Sequence, residues 1–413
     1  FEPMAGEIAE RKPNLKIVVT GATGFVGRQL VPLLERGGAT VLLVGRDAAA
    51  IERIFPGRAA CGYADMAERA RDFDLLVHLA TVNSDTNLSL EAARKVNVGL
   101  LVAGVESAVA AGIPDVVNIS STHALSERRM GAYAQTKREA AAWMRTVTRV
   151  RGTTLYLPPV YGNRWSGRLG IFNKLPPWLA RPLFRAAAAL TPTVSVECLA
   201  AFILAPIPCD REVILSDGQQ RNRFYQCVKR SFEVVFAVVV IAVFWWLLAI
   251  IWLLVRLESP GPGIIAQSRV GRDGQVFTFY KFRSMKKTTV QAATHEVSSR
   301  AVTRIGGFLR RTKLDELPQV WNILRNEMSL VGPRPCLPIQ TDLVEERKKR
   351  GVLALKPGIT GLSQINGIDM SDPMRLAISD ARYLALQSLL LDARIMLATA
   401  IGRGQGDRTA RPD

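Results

Sequence analysis

Asp315 and Glu316 stand side by side in residues 309–335, LRRTKLDELPQVWNILRNEMSLVGPRP, just after Arg310, Arg311 and Lys313. Adjacent carboxylates among fixed cations suit chemistry on phosphates, whose oxygens need neutralising charge. The competing reading is helix-start chemistry. Acids near a helix N-terminus complement its dipole, and LDELPQVWNIL could open a helix after Pro318. Upstream lies an uncharged apolar run, residues 234–255, which suggests that the phosphate chemistry takes place at a bilayer surface.

A second set of chemical residues lies in the first half. Tyr133 and Lys137 stand four apart in YAQTK, so on a helix they share one face. A lysine ammonium beside a tyrosine lowers the phenol's pKa, and the phenolate can then act as a base. Ser120, Ser121 and Thr122 close the preceding apolar run and offer a hydroxyl to the reacting oxygen. A lone YxxxK is more often an exposed helix face. Its company here is LKIVVT, residues 15–20, followed by Gly21, Gly24, Phe25, Val26 and Gly27. A strand, a tight glycine turn and a helix in that order make a pyrophosphate site. The glycines admit the phosphates close to the backbone, and the helix start supplies N–H donors. Arg46 follows the second strand, where an acid would favour NAD, so it leans toward NADP, with a solvated surface arginine as the competing reading.

These groups need rigid elements to hold them. Strands are expected at residues 40–44, 75–79 and 116–119 with helices between, which gives a parallel, doubly wound sheet. The apolar run is 22 residues long. As a helix it extends ~33 Å, enough for a hydrocarbon core of roughly 30 Å. It has no polar face for water.

Charge divides unevenly along the 413 residues. Residues 1–220 hold 25 Lys+Arg against 20 Asp+Glu, and the remainder 29 against 16. The basic second half suits anionic membrane lipid or phosphorylated substrates. No aromatic RNA-binding pattern or zinc spacing points to nucleic acid. Cys61, Cys198, Cys209, Cys227 and Cys336 are scattered, as in a reducing compartment without a disulfide framework.

The first half resembles the extended short-chain dehydrogenase/reductases, which include nucleotide-sugar epimerases, dehydratases and reductases. The resemblance rests on TGATGFVG, HLA (78–80), YAQTK, LPPVYG (157–162) and VSVECLA (194–200). It implies NAD(P) at Gly21, Gly24, Phe25, Val26, Gly27, Arg46 and Asp65, with Thr122, Tyr133 and Lys137 catalytic. The stretch from Thr122 to Tyr133 is short for the family, and the region after Lys137 is compressed. A binding or oligomerisation module is the alternative for this half.

The second half resembles the bacterial sugar transferases called monotopic phosphoglycosyl transferases. The motifs that carry this are RLESPGP (256–262), YKFRSM (280–285), TRIG (303–306), LDELPQVWNIL (314–324), MSLVGPRP (328–335) and PGITGLSQING (357–367), completed by Asp380 and Asp392. The resemblance implies transfer of a sugar-1-phosphate from a UDP-sugar to undecaprenyl or another polyprenol phosphate, with release of UMP. Asp315 would be the nucleophile and the Mg²⁺ ligand, and Glu316 its assistant. Lys281, Arg310, Arg334, Asp380 and Asp392 would serve the substrates.

Together these readings predict an α/β chain: a Rossmann-like doubly wound parallel sheet, a membrane-inserted helix, and a small, mainly α-helical α/β phosphoglycosyl transferase domain. The expected bounds are 15–220, 229–256 and 257–403, with tails at 1–14 and 404–413. Both domains need the cytosol, so the helix is expected to be re-entrant at the bacterial inner membrane, leaving by the leaflet it enters. That course needs a kink. Trp245 and Trp246 stand where the family usually carries a Ser-Pro pair, and residues 234–255 contain no Pro or Gly. Oligomeric state is left open, a homo-oligomer included.

Overall fold

The computed structural model describes residues 14–81, 89–126, 131–163, 165, 167–208, 210–285 and 302–402. Cys209 and the expected tails, apart from Asn14, lie outside them. The chain divides into two compact units, one chiefly Glu7–Phe184 with Pro192–Asp217, the other chiefly Gly218–Asp413 with Arg185–Thr191.

The first unit is a seven-stranded parallel sheet. In chain order its strands are β1 (Lys16–Thr20), β2 (Thr40–Val44), β3 (Ala60–Cys61), β4 (Leu75–His78), β5 (Asp115–Ser121), β6 (Arg151–Leu157) and a short strand Glu212–Ile214. The spatial order is β3-β2-β1-β4-β5-β6, closed by the short strand. Strands buried on both faces read as continuous apolar runs. In β1, Ile17 and Val19 join one core cluster while Val18 joins the other. The reversal of order between β1 and β4 opens the crevice where such sheets bind ligands.

The second unit begins with a helix of 36 residues, Arg223–Glu258, started by the Asn222 side chain, which accepts from the Tyr225 N–H at 3.3 Å. By length and composition it could cross a membrane. The helix runs as one element from Arg223 to Glu258. With no Pro or Gly between residues 234 and 255, nothing removes a backbone donor or relaxes the backbone locally. An antiparallel hairpin follows, Ile264–Val270 paired with Val276–Phe282. A short parallel pair, Ser329–Val331 with Gly358–Thr360, lies among helices. Its core includes Ala237 and Val240 of the long helix with Phe279, Ile323, Met328, Tyr383 and Ile395.

Candidate functional site

Asp315 lies in a 3₁₀ turn, Leu314–Gln319, rather than in the first turn of an α-helix. The helix before it, Arg304–Thr312, stops because Lys313 takes a left-handed conformation (φ 59°). Leu314 and Leu317 pack against Ile251, Val255, Phe282 and Leu309. The acidic pair is therefore held between the C-terminal half of the long helix and the hairpin. The start of helix Arg304–Thr312 is fixed twice. Thr303 Oγ1 accepts from the Gly306 N–H at 3.0 Å, and Glu258 accepts from the Ile305 N–H at 3.1 Å. Gly306 is required there, since a Cβ would stand 2.1 Å from the Ser284 carbonyl oxygen.

Three of the cations expected from sequence act on Asp315. The residue is 9 % exposed. Burial pushes the carboxyl above the usual aspartate range, and Lys281, Arg310 and Arg334 pull it back. Lys281, on the second hairpin strand, is pushed down to about 8 by burial, Arg269 and the other two arginines, against the pull of Asp315. Glu316 pairs with Arg334 at 3.5 Å. Arg310 Nη1 is buried with no hydrogen-bond partner among the described residues, a donor that a ligand oxygen would satisfy. Burial lowers Lys313, and Glu316 opposes this.

Asp380 and Asp392 are not in this cluster. Asp380 Oδ2 accepts from Arg347 Nη2 at 2.7 Å and Nε at 3.0 Å, and Oδ1 accepts from Ser363 at 2.6 Å. Asp380 therefore reaches the cluster only indirectly, because Arg347 Nη1 also donates to the Arg334 carbonyl at 2.9 Å. Asp392 accepts from Tyr225 and Tyr383 at 2.6 Å and from Lys229 at 2.9 Å. It anchors the start of the long helix. A carboxylate already satisfied by buried donors has little left for a substrate.

Sequence reasoning missed Arg347 and the role of Arg283. Arg283 donates to the carbonyls of Val255, Ser259 and Pro260 and so caps the long helix. Its place inside YKFRSM was the available signal. The segment carrying Arg334 is set by a close crossing of glycines. A Cβ on Gly358 would lie 2.1 Å from Gly332 N, and one on Gly361 2.3 Å from Gly332 O.

In the first unit the glycine turn has the expected form. Gly21 is left-handed (φ 72°), and a Cβ there would meet Ala80 N at 2.6 Å. Gly27 lets helix Phe25–Arg36 press on Ala22, which a Cβ would approach to 2.5 Å. Gly24 is the N-cap of that helix, which begins with Phe25 and Val26, and has no side-chain capping bond. A cavity of 200 Å³ is lined by Gly21, Thr23, Val44, Arg46, Asp47 and Ile51, among others. Asp47 caps the next helix through Ala50 N at 3.1 Å, so Arg46 is left as the charged side chain of this rim without that duty. Asp65 is exposed at the start of Met66–Arg69 and does not line the cavity.

The tyrosine–lysine pair departs from expectation. Lys137 Nζ donates to the Ile119 carbonyl at 2.9 Å, and burial lowers it to about 8. Tyr133 is raised, not lowered, because burial outweighs a hydrogen bond with Ser121. Ser121, rather than Thr122, is its hydroxyl partner. The strand runs through Ser121, and Thr122 already begins the 3₁₀ turn Thr122–Leu125.

Among the described residues no three His, Cys, Asp or Glu side chains form a metal cage. Mg²⁺ commonly takes one or two carboxylates and completes its shell with water and substrate phosphates. The Asp315–Glu316 pair fits that mode.

Comparison with known proteins agrees with both halves. Residues 17–183 match the NAD dependent epimerase/dehydratase family and residues 224–403 the bacterial sugar transferases. A UDP-glucose:undecaprenyl-phosphate glucose-1-phosphate transferase of Xanthomonas campestris is 38% identical over 47% of this chain and 42% of its own length. A putative undecaprenyl-phosphate N-acetylgalactosaminyl 1-phosphate transferase of Bacillus subtilis is 42% identical over 30% of this chain and 70% of its own. The exopolysaccharide production protein PSS of Rhizobium leguminosarum is 36% identical over 43% of this chain and 98% of its own. The chain thus spans less than half of the Xanthomonas relative and nearly all of the Rhizobium one. Its second half carries the sugar transferase motifs in order and its first half an epimerase/dehydratase domain: the chain belongs to the bacterial sugar transferase family.

Proposed function

We propose that the chain is a membrane phosphoglycosyl transferase that moves a sugar-1-phosphate from a UDP-sugar to undecaprenyl (polyprenol) phosphate. The observation that carries this is the buried Asp315 carboxylate under the combined field of Lys281, Arg310 and Arg334. A carboxylate oxygen of Asp315 attacks the sugar-linked phosphorus. The bond to the bridging oxygen breaks, and UMP leaves with that electron pair. A phosphate oxygen of the polyprenol phosphate then attacks the aspartyl phosphate, frees the carboxylate and leaves a polyprenyl diphosphate sugar. Splitting one transfer into two is the usual gain of covalent catalysis.

The cations have distinct tasks. Lys281 and Arg334 offset the charge gathered as phosphate meets carboxylate. Arg310 Nη1 supplies the unmatched donor. Glu316, tied to Arg334, orients that guanidinium. Mg²⁺, held by Asp315 and the donor's diphosphate, would supply further neutralisation of the leaving UMP.

The first unit is read as an NAD(P)-dependent epimerase or reductase that prepares the sugar nucleotide. The glycine turn and the Arg46 cavity favour a bound dinucleotide. A second reading, a non-catalytic NAD(P)-binding or oligomerisation module, is favoured by the raised Tyr133 and by Lys137 held on Ile119. The cytosolic face of the bacterial inner membrane suits both substrates. The test is UMP release from a panel of UDP-sugars without lipid acceptor, each with and without NAD(P)(H). Stoichiometric UMP lost in Asp315→Asn supports the covalent route, and a well-folded preparation that gives no UMP overturns it.

A further inference from the structure

Between Glu139 and Glu197 the chain contains no acid and eight cations. Three of these, Arg145, Arg149 and Arg151, pair with Glu212, Glu106 and Asp115. Lys174, Arg181 and Arg185 are exposed and have no ion pair among the described residues.

Two of them sit on the helix Pro177–Leu190 beside exposed apolar side chains. At about 100° per residue, Trp178, Arg181 and Arg185 fall within ~60° of one another, and Leu183 and Leu190 form a second line ~120–140° round from Trp178. Trp178 is 75 % exposed, and Leu183 and Leu190 are exposed as well. Pro182 and the half-buried Ala186 lie between the two lines. The inner side is fixed. Ala180 and Phe184 are buried, and the Phe184 ring meets those of Tyr161, Trp165 and Phe172 at 4.6, 5.4 and 5.8 Å. The outward side is thus an apolar face with a cationic edge, the pattern of a helix that rests on a lipid surface.

The last turns of this helix belong to the second compact unit. Ala189 is buried there. Gln219 donates to the Ala188 carbonyl at 2.6 Å, and Asn222 to the Arg185 carbonyl at 3.0 Å. Asn222 is the cap of the long helix. Lys229 and Arg230 stand ~10 Å further along that helix, just ahead of the uncharged apolar run.

We propose that helix Pro177–Leu190 docks the first unit on an anionic phospholipid surface. The partner is identified by charge as well as by apolarity. Trp178 suits the headgroup level, Leu183 and Leu190 the chains beneath it, and Lys174, Arg181 and Arg185 the lipid phosphates. A helix this short binds weakly by itself. Its bond to the start of the long helix makes the contact intramolecular, at a high effective concentration of lipid. The proposal rests on the long helix being in the membrane and is independent of the transfer reaction.

The test places single spin labels at Trp178→Cys and Leu183→Cys, the two edges of the face. The full chain carries Cys209→Ser and Cys227→Ser, and Cys61, Cys198 and Cys336 are buried. Contact is read on vesicles of phosphatidylethanolamine and phosphatidylglycerol from collision with oxygen and with a nickel chelate. The expected result at both labels is high oxygen and low nickel collision. One cation at such a surface is worth about fivefold in the bound-to-free ratio. Lys174→Glu, Arg181→Glu and Arg185→Glu together should therefore return both labels to nickel contact while the chain still floats with the vesicles. Phosphatidylcholine vesicles should do the same without the charge reversals. Labels open to nickel on the anionic vesicles overturn the proposal, and equal shielding on neutral lipid overturns the anionic partner. Low collision with both reagents means cover by protein and overturns it, in favour of a second copy where spin–spin broadening accompanies it. Shielding that appears only with a UDP-sugar overturns it in favour of a ligand site. The same collisions in Asp315→Asn, whatever its UMP release, separate this proposal from the transferase reading.

Discussion

The Asp315 cluster and the Tyr133 pair each contain a lysine brought down to about 8, chiefly by burial. Their surroundings differ. Lys281 shares its field with the Asp315 carboxylate and with Arg269, Arg310 and Arg334, a surplus of positive charge that suits phosphate. Lys137 is bonded to a backbone carbonyl, and the tyrosine it was expected to activate is raised by burial. A perturbed lysine is therefore informative only with its partners. The first cluster gathers cations round a carboxylate, whereas the second has the expected side chains in an arrangement that stabilises the neutral phenol.

The sharpest break of this contrast is Asp315→Asn. It keeps the shape and removes the nucleophile, so UMP release should fall by ~1000-fold or more. A variant retaining a tenth of the rate would remove Asp315 from the role. Next comes Arg347→Met, which leaves the buried Asp380 carboxylate without its ion pair. Unfolding measured by denaturant titration should show a loss of ~3–5 kcal/mol. An unchanged midpoint would mean that Asp380 has another partner.

Lys281 gives a prediction in pH. Its ammonium should lose its proton as pH rises through about 8, so the transfer rate should fall on the alkaline side. Lys281→Arg keeps the charge at high pH and should move that limb upward. Lys281→Met removes a cation that holds Asp315 down, so the acid limb should move to higher pH while the rate drops ~10–100-fold. Identical pH profiles for all three would dissolve the cluster as a functional unit. The smallest effect is expected for Tyr133→Phe, which should leave UMP release within about twofold, since Tyr133 shares no partner with Asp315 and belongs to the other compact unit. The same variant decides the first unit's chemistry: loss of sugar-nucleotide conversion supports catalysis, and unchanged conversion supports a binding module.

Much of this was legible in sequence where physics is local. Strand β1 and the glycine turn were readable because a doubly buried strand is uniformly apolar and because only glycine fits beside Ala80. Lys281, Arg310 and Arg334 were readable through the motifs that carry them. Asp380 and Asp392 were not, since their partners Arg347 and Lys229 lie 33 and 163 positions away and nothing local marks such a pairing. Ser121 was displaced by one residue because the strand runs further than its apolar run suggests. The lack of Pro and Gly was visible in residues 234–255, and the expected topology came from the family and from the needs of the two domains.

The crossing of Gly332, Gly358 and Gly361 has a consequence for how this chain can vary. At each of the three positions even a methyl group would overlap backbone atoms. Saturation mutagenesis should therefore find them almost without permitted alternatives. Arg334 follows two residues after Gly332, so the placement of the cation that pairs with Glu316 is inherited as an unfilled space.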